Sequence, residues 1–324
     1  MNKKHYETLL NLFNNRSYIK AEEFAEDIIS SSDADSQFYL LLGVIQIQLK
    51  KYKKGILSLK HCIKLKPNSP GAYNNLGIIY GILEDHKTAI EHYKEVIKYQ
   101  NNNFQAYYNL GNASKAIGNI AEAETAYRES IKIQPNNLNA FINLGVILHE
   151  NKRYDEAVIQ FKKALKLDPN SAIALSNIGN SLVETNMAGE ALVYLKKSIK
   201  IDSENFNSYS IIGNAYKNMG DLENAIKYIK QSINLKPDFA ENYFNLGNCY
   251  NHQGDIESAL NQYKLALEKK PSLLFVIYNI GMIFFKINEY EKALNFFKES
   301  RYGDYEERIL LCLYNLKQFK EFNI

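Results

Sequence analysis

The sequence predicts an all-α solenoid of antiparallel helix pairs, and three observations carry that prediction. Gly43, Gly77, Gly111, Gly145, Gly179, Gly213, Gly247 and Gly281 are each 34 residues from the next, which places half of the chain's 16 glycines on one lattice. A small residue recurs twelve positions after each of these glycines, and a large apolar residue four positions later still. No stretch shows the polar–apolar alternation of a half-buried strand.

Each repeat is numbered so that its lattice glycine is position 8. Position 7 is then always Leu or Ile, from Leu42 and Leu76 to Ile280, and position 4 is large and apolar, as in Tyr39, Tyr107, Phe141 and Ile277. Positions 4, 7, 8 and 11 share one face of a first helix. Position 20 is Ala in seven repeats (Ala89, Ala123, Ala157, Ala191, Ala225, Ala259, Ala293) and Gly55 in the first. Position 24 is Leu59, Tyr93, Tyr127, Phe161, Leu195, Ile229, Tyr263 and Phe297. With position 27 these define the inner face of a second helix. A glycine inside a helix costs about 1 kcal/mol relative to alanine, so its regular use needs a compensating gain. The expected gain is close approach of the first helix to the small residue at position 20, with the position-24 side chain packed over the junction. The turn between the two helices falls near position 15, where Gly118, Gly220 and Gly254 suit a left-handed helix end. Proline at position 32 (Pro67, Pro135, Pro169, Pro237, Pro271) is expected to end the second helix.

A 34-residue helix–turn–helix with Gly at 8, Ala at 20, an aromatic at 24 and Pro at 32 resembles the tetratricopeptide repeat (TPR). Eight tandem repeats are expected over residues 36–303. A degenerate pair fits residues 1–35, from about Asn2 to Asp35, with Leu9 at position 8, Tyr18 at 17 and Ala21 at 20. A capping helix or partial repeat fits 304–324, on the apolar spacing of Ile309, Leu310, Leu313, Leu316 and Phe319. The resemblance implies a right-handed superhelix whose first helices line a concave groove, with positions 2, 5, 6, 9, 12 and 13 facing or bordering it.

On that assignment, position 6 supplies Asn75, Asn109, Asn143, Asn177, Asn245 and Asn279, and position 9 adds Asn112, Asn180, Asn214 and Asn248. A carboxamide both donates and accepts, so such a ladder can hold an extended peptide by its backbone. The arrangement resembles the asparagine ladder of the TPR region of O-GlcNAc transferase. The alternative is that these asparagines are polar residues on a solvated helix face in an Asn-rich chain. Phe244, Phe275, Tyr278, Met282 and Phe285 also fall at groove positions of the last two repeats. They either anchor apolar side chains of a partner or are covered by the C-terminal segment. The second is preferred, because solenoid ends need covering. Position 5 carries no basic residue, which argues against a carboxylate clamp for acidic tails.

The remaining composition narrows the function. The chain has 324 residues, is 46% hydrophobic, and carries 39 basic against 36 acidic residues. That balance does not suit a dedicated nucleic-acid binder. The basic stretch Lys50, Lys51, Lys53, Lys54, Lys60, Lys64 and Lys66 reads as a solvated outer face. The three cysteines (Cys62, Cys249, Cys312) and the absence of a secretory signal suit reduced thiols in the cytoplasm. No membrane insertion is expected. His149–Glu150 and His61–Cys62 are helix neighbours whose side chains diverge, and no catalytic or metal-ligand motif is present. The chain is therefore expected to be a protein-interaction scaffold without cofactor, metal or catalytic residues, taking a protein or peptide ligand. The alternative is the substrate-recognition region of a TPR-linked enzyme such as a glycosyltransferase, whose catalytic part would lie in a longer chain or a partner subunit. Self-association through the solenoid ends is a third reading.

Overall fold

The computed structural model describes residues 3–31 and 34–322, with the side chains of residues 4–30 and 34–317. Asn2, where the N-terminal pair is expected to begin, lies outside the described residues, and the side chain of Phe319 lies outside the described side chains. Among the described residues every regular element is a helix. The chain divides into two compact units, Met1–Asn151 and Lys152–Ile324. The first holds α1 (Lys3–Asn14) and α2 (Tyr18–Ser31), α3 (Ser36–Gln48) and α4 (Tyr52–Leu65), α5 (Pro70–Ile82) and α6 (His86–Tyr99), α7 (Phe104–Ala116) and α8 (Ile120–Ile133), and α9 (Leu138–Glu150). The second holds α10 (Tyr154–Leu167), α11 (Ala172–Glu184) and α12 (Ala188–Ile201), α13 (Phe206–Asn218) and α14 (Leu222–Leu235), α15 (Ala240–Gln253) and α16 (Ile256–Lys269), α17 (Leu274–Lys286) and α18 (Tyr290–Ser300), and α19 (Tyr305–Phe322). No helix among the described residues is long and apolar enough to cross a membrane.

The lattice residues make the joint inside the helix pairs that lie within one unit. Positions 7, 20 and 24 are buried in every repeat. The reason for glycine at position 8 is more direct than the sequence suggests, because the position-24 side chain lies on the glycine itself. A Cβ added at Gly77 would come within 2.5 Å of the Tyr93 ring, one at Gly111 within 2.6 Å of Tyr127, and one at Gly247 within 2.6 Å of Tyr263. The position-20 backbone is the second surface, with the Ala259 carbonyl 3.2 Å from the same point at Gly247.

Two turn expectations change in detail. Positive φ at position 15 is general rather than confined to the three glycines. Gly118, Gly220 and Gly254 have φ of 76°, 81° and 82°, but Lys50, Glu84, Lys152, Asn186 and Asn288 take values of 57° to 63°. Arg16, at the same position of the N-terminal pair, has φ 57°. After most of them the next residue closes the helix onto a carbonyl five positions earlier, as in Asp85 N to Tyr80 O (2.9 Å) and Asp221 N to Tyr216 O (3.0 Å). Proline at position 32 is not what ends the second helix. Helices α6 and α12 lack it, yet end at the same position, with Gln100 and Asp202 in the extended conformation that Lys66 and Lys236 adopt before their prolines.

Position 25 is Lys or Arg in all eight repeats and exposed in each, and four of these cations reach the following pair. Lys94 on α6 meets Glu122 on α8 at 2.7 Å, which holds that carboxyl below its usual range, and Lys162 on α10 lies 3.9 Å from Glu190 on α12. Lys196 and Lys230 instead lie over the rings of Tyr216 and Tyr250, at 5.7 and 5.8 Å. Buried hydroxyls add a second link. Ser198 and Ser232 donate to the carbonyls of Ala172 and Phe206, and share hydrogen bonds with Ser208 and Asn242 of the following pair.

The two ends depart from the lattice. At the N-terminus Leu9, Ala21 and Ala25 are buried with Phe38, and the buried Glu22 carboxylate is met at 2.5 Å by Lys51, the residue that precedes α4. At the C-terminus α18 has 11 residues where the other second helices have 14, and it stops at Arg301, in the left-handed region with φ 45°. Helix α19 therefore starts three residues ahead of the lattice and brings Cys312 into the core beside Ala293 and Phe297.

Candidate functional site: a carboxamide-lined pocket on three first helices

In the second unit, the first helices α11, α13 and α15 enclose an open pocket of about 400 Å³. Helix α11 contributes Ile173, Ser176, Asn177 and Asn180; α13 contributes Asn207, Ser210, Ile211 and Asn214; α15 contributes Glu241 and Asn245. Asn205 and Phe239, the residues that precede α13 and α15, complete it. On the helices themselves the lining residues occupy positions 2, 5, 6 and 9. Six of the twelve are asparagines, two are serines, and the one ionisable group, Glu241, is paired with Lys270 at 3.1 Å. The pocket is polar, close to neutral, and built on rigid helices.

Four of the ten asparagines singled out by sequence thus converge: Asn177, Asn180, Asn214 and Asn245. Asn109 and Asn112 line a smaller pocket of about 190 Å³ in the first unit, with His86 and Tyr93. Asn75, Asn143, Asn248 and Asn279 line neither of these two pockets. The sequence reading missed Asn205, Asn207, Ser176 and Ser210. Asn207, Ser176 and Ser210 stand at positions 2 and 5, so extending the asparagine search to those positions, and to serine, finds them. Asn205 is an N-cap, accepting from Ser208 N at 3.1 Å, and no groove periodicity marks it.

The carboxamides are already oriented by their own chain. Asn75, Asn177 and Asn279 donate Nδ2 to the carbonyl four residues back, at 2.8, 3.0 and 2.7 Å. That bond takes one of the two amide hydrogens and leaves Oδ1 and the second N–H for other partners. Asn109 accepts from Gln105 at 3.0 Å. Asn143 donates to Asn112 Oδ1 at 2.9 Å across neighbouring repeats, and the same oxygen receives the Tyr127 hydroxyl at 2.8 Å. Asn248 receives the Tyr263 hydroxyl at 2.6 Å. Burial pushes the Tyr127 and Tyr263 phenols well above their usual range, so both keep the proton that makes the bond. Position 24 of the Asn214 repeat is Ile229 rather than Tyr, and the buried Oδ1 of Asn214 has no hydrogen-bond partner.

The five residues of the C-terminal apolar patch fall into two clusters, and α19 packs on one of them. Phe244 and Phe275 meet edge to face at 4.7 Å between ring centroids. Tyr278, Met282 and Phe285 pack around Phe297 and Cys312 with Ile309 of α19, and the Tyr278 hydroxyl is bonded to Asp304. Tyr302 lies against both Phe275 and Tyr278.

The motifs set aside on sequence grounds have structural partners. Glu150 pairs with Lys115 at 3.2 Å, the His61 ring lies 4.2 Å from that of Tyr39, and the buried Cys62 thiol, pushed up by burial, contacts Ser69.

Residues 73–236, half of the chain, match the family model described as Cilia and flagella-associated protein 70 middle TPR-like domain. Residues 218–300 match that of anaphase-promoting complex, cyclosome, subunit 3, and residues 36–69 a tetratricopeptide repeat. Among solved structures, the APC/C hetero-tetramer Cut9–Hcn1 is similar over 91% of this chain and 58% of its own, with 14% identity and a TM-score of 0.63. The C-terminal part of a TPR repeat-containing protein from Cytophaga hutchinsonii is similar over 74% of this chain and 99% of its own, with 19% identity and a TM-score of 0.63. A crystal structure of MamA shares 27% identity over 52% of this chain and 92% of its own, with a TM-score of 0.44. No curated protein sequence matches the chain.

Proposed function

Because the chain belongs to the tetratricopeptide-repeat family, we propose that it is an interaction scaffold that holds an extended peptide segment of a partner protein along its first helices. The observation that carries this reading is the pocket on α11, α13 and α15, with six carboxamides, two hydroxyls and no unpaired charge. Such a lining matches the peptide backbone, which is polar and neutral at every residue. Where Nδ2 is held by the helix, as in Asn177, the oxygen accepts a ligand N–H and the second amide hydrogen is left for a ligand carbonyl. Ile173, Ile211 and Phe239 give the ligand's side chains apolar ground between those contacts. The eight repeats over 36–303 form the scaffold, and the helices before and after them form its ends.

The test is a selection of peptides from a random display library on the intact chain, followed by affinity measurements on variants. Each hydrogen bond contributes about 1 kcal/mol, so Asn177→Ala with Asn245→Ala should weaken the selected peptides by about tenfold or more. Equal affinity for the wild type and the double variant would remove the pocket from the reading.

A further inference from the structure

Helix α19 carries a second surface, on the side away from α17 and α18. Its inner side is held by Tyr305, Ile309 and the buried Cys312. Its outer side exposes Leu310 at 67%, Tyr314 at 62% and Leu313 at 47%. Glu307 and Lys317 are exposed too. The residues Glu307, Leu310, Tyr314 and Lys317 step by three, four and three, the spacing of a single stripe down one helix. Apolar residues hold its middle and opposite charges its two ends.

That order makes the stripe complementary to its own reverse. A two-fold axis level with residue 312 sets Leu310 opposite Tyr314 and Glu307 opposite Lys317, each pair twice. A parallel arrangement would set Glu307 against Glu307 instead. We propose that α19 is a homodimerisation element, pairing antiparallel with α19 of a second copy of this chain. The contact is isologous, the type that closes after two subunits. The apolar pairs supply the attraction and the flanking ion pairs fix direction and register, as charged positions do in coiled coils. From residue 307 to 317 the stripe spans roughly 15 Å of helix. That is far short of a standard-size interface, so the dimer is weak and its population follows protein concentration.

Sedimentation velocity on the full chain over a hundredfold concentration range tests this. The wild type should shift from monomer toward dimer with rising concentration, whereas Leu310→Ser with Tyr314→Ser should remain monomeric. Glu307→Lys or Lys317→Glu alone places like charges together twice, and should move the transition to about tenfold higher concentration or beyond. The double variant E307K/K317E restores both pairs and should return the transition to that of the wild type, a rescue that a purely structural role of either residue would not produce. All variants lie on an exposed face, and circular dichroism checks their folding. A wild type that stays monomeric overturns the proposal, as does a double variant that is not rescued. Association that survives every α19 change overturns it as well.

Discussion

The hydroxyl of Tyr127 donates to Oδ1 of Asn112 at 2.8 Å, a bond between position 24 of the second helix and position 9 of the first. Tyr263 and Asn248 repeat it at 2.6 Å. These two asparagines, read from sequence as groove contacts, brace their own helix pair. Asn214 shows the same position without the tyrosine, since position 24 is Ile229 and the carboxamide oxygen is unpaired. Replacing Ile229 by Tyr should supply the missing donor and stabilise α13–α14 by about 1 kcal/mol, whereas Tyr127→Phe and Tyr263→Phe should each cost about that much. Hydrogen exchange resolved by helix is the appropriate measurement, because repeat proteins open locally. Slower exchange confined to α13–α14 in Ile229→Tyr is expected, and unchanged exchange would count against the pairing.

The glycines divide into two classes with opposite predictions. Gly77 and Gly111 each lie beneath an aromatic ring, so alanine there forces the ring and its neighbours to move, at a cost of about 1–3 kcal/mol. Gly81 and Gly189 lie in helices with nothing within 4 Å of an added Cβ. Alanine at either should raise stability by up to about 1 kcal/mol through helix propensity alone. Denaturant midpoints of the four variants should fall on opposite sides of the wild type.

Glu84 adopts φ 61° at the turn where Gly220 adopts φ 81°. A residue with a side chain in that region is strained by about 1–2 kcal/mol, partly offset by the greater chain entropy that glycine loses on folding. Glu84→Gly should therefore stabilise by about 0.5–1 kcal/mol, and Gly220→Ala should destabilise by a similar amount or more. Thermal melts decide it, and equal midpoints would mean that the turn relaxes.

His92 lies between the rings of Tyr73 and Tyr80, at 6.0 and 5.4 Å, and burial holds its pKa below the ordinary histidine range despite the opposing charges of Glu91, Glu95 and Asp85. Lys60 acts in the same direction as burial. With a lowered folded pKa, the unfolded chain binds more protons than the folded one below about pH 6.5. The stability that His92 contributes is complete above that value and is lost as pH falls through the depressed pKa. Melting temperatures between about pH 7.5 and 5 should decline, and His92→Phe should flatten the decline. A variant with the wild-type profile would exclude His92 as its source.

The fold was legible because its determinants are single residue types at fixed spacing. Glycine at 8, alanine at 20 and a large apolar residue at 24 are each required by one steric joint, and each leaves a mark that survives repetition. The left-handed turn was legible only where glycine occupies it, because Lys50, Glu84 and Asn288 tolerate the same backbone without a compositional signal. The cation column at position 25 is equally periodic, but lysine on an outer helix face reads as solvation until Lys94 is seen against Glu122. The site was half legible. Spacing located Asn177, Asn180, Asn214 and Asn245 together, yet it could not separate them from Asn112 and Asn248, whose tyrosine partners lie fifteen residues away. The end of the lattice was hidden for another reason. Helix α18 stops three residues early, which shifts every later residue off the period.

The seat of the position-24 side chain on the glycine lies wholly within one helix pair, as with Tyr93 on Gly77. A gene segment encoding any 34 consecutive residues of the lattice therefore carries both halves of its joint, or exchanges one half for an equivalent. Copy number can change by unequal crossover without a new joint having to evolve. Exceptions include the shared polar seats, Ser198 with Ser208 and Ser232 with Asn242, where the two partners belong to successive pairs. Around α12–α15 the order of the repeats has become heritable information, and a shuffled array would leave a buried asparagine facing a hydrocarbon.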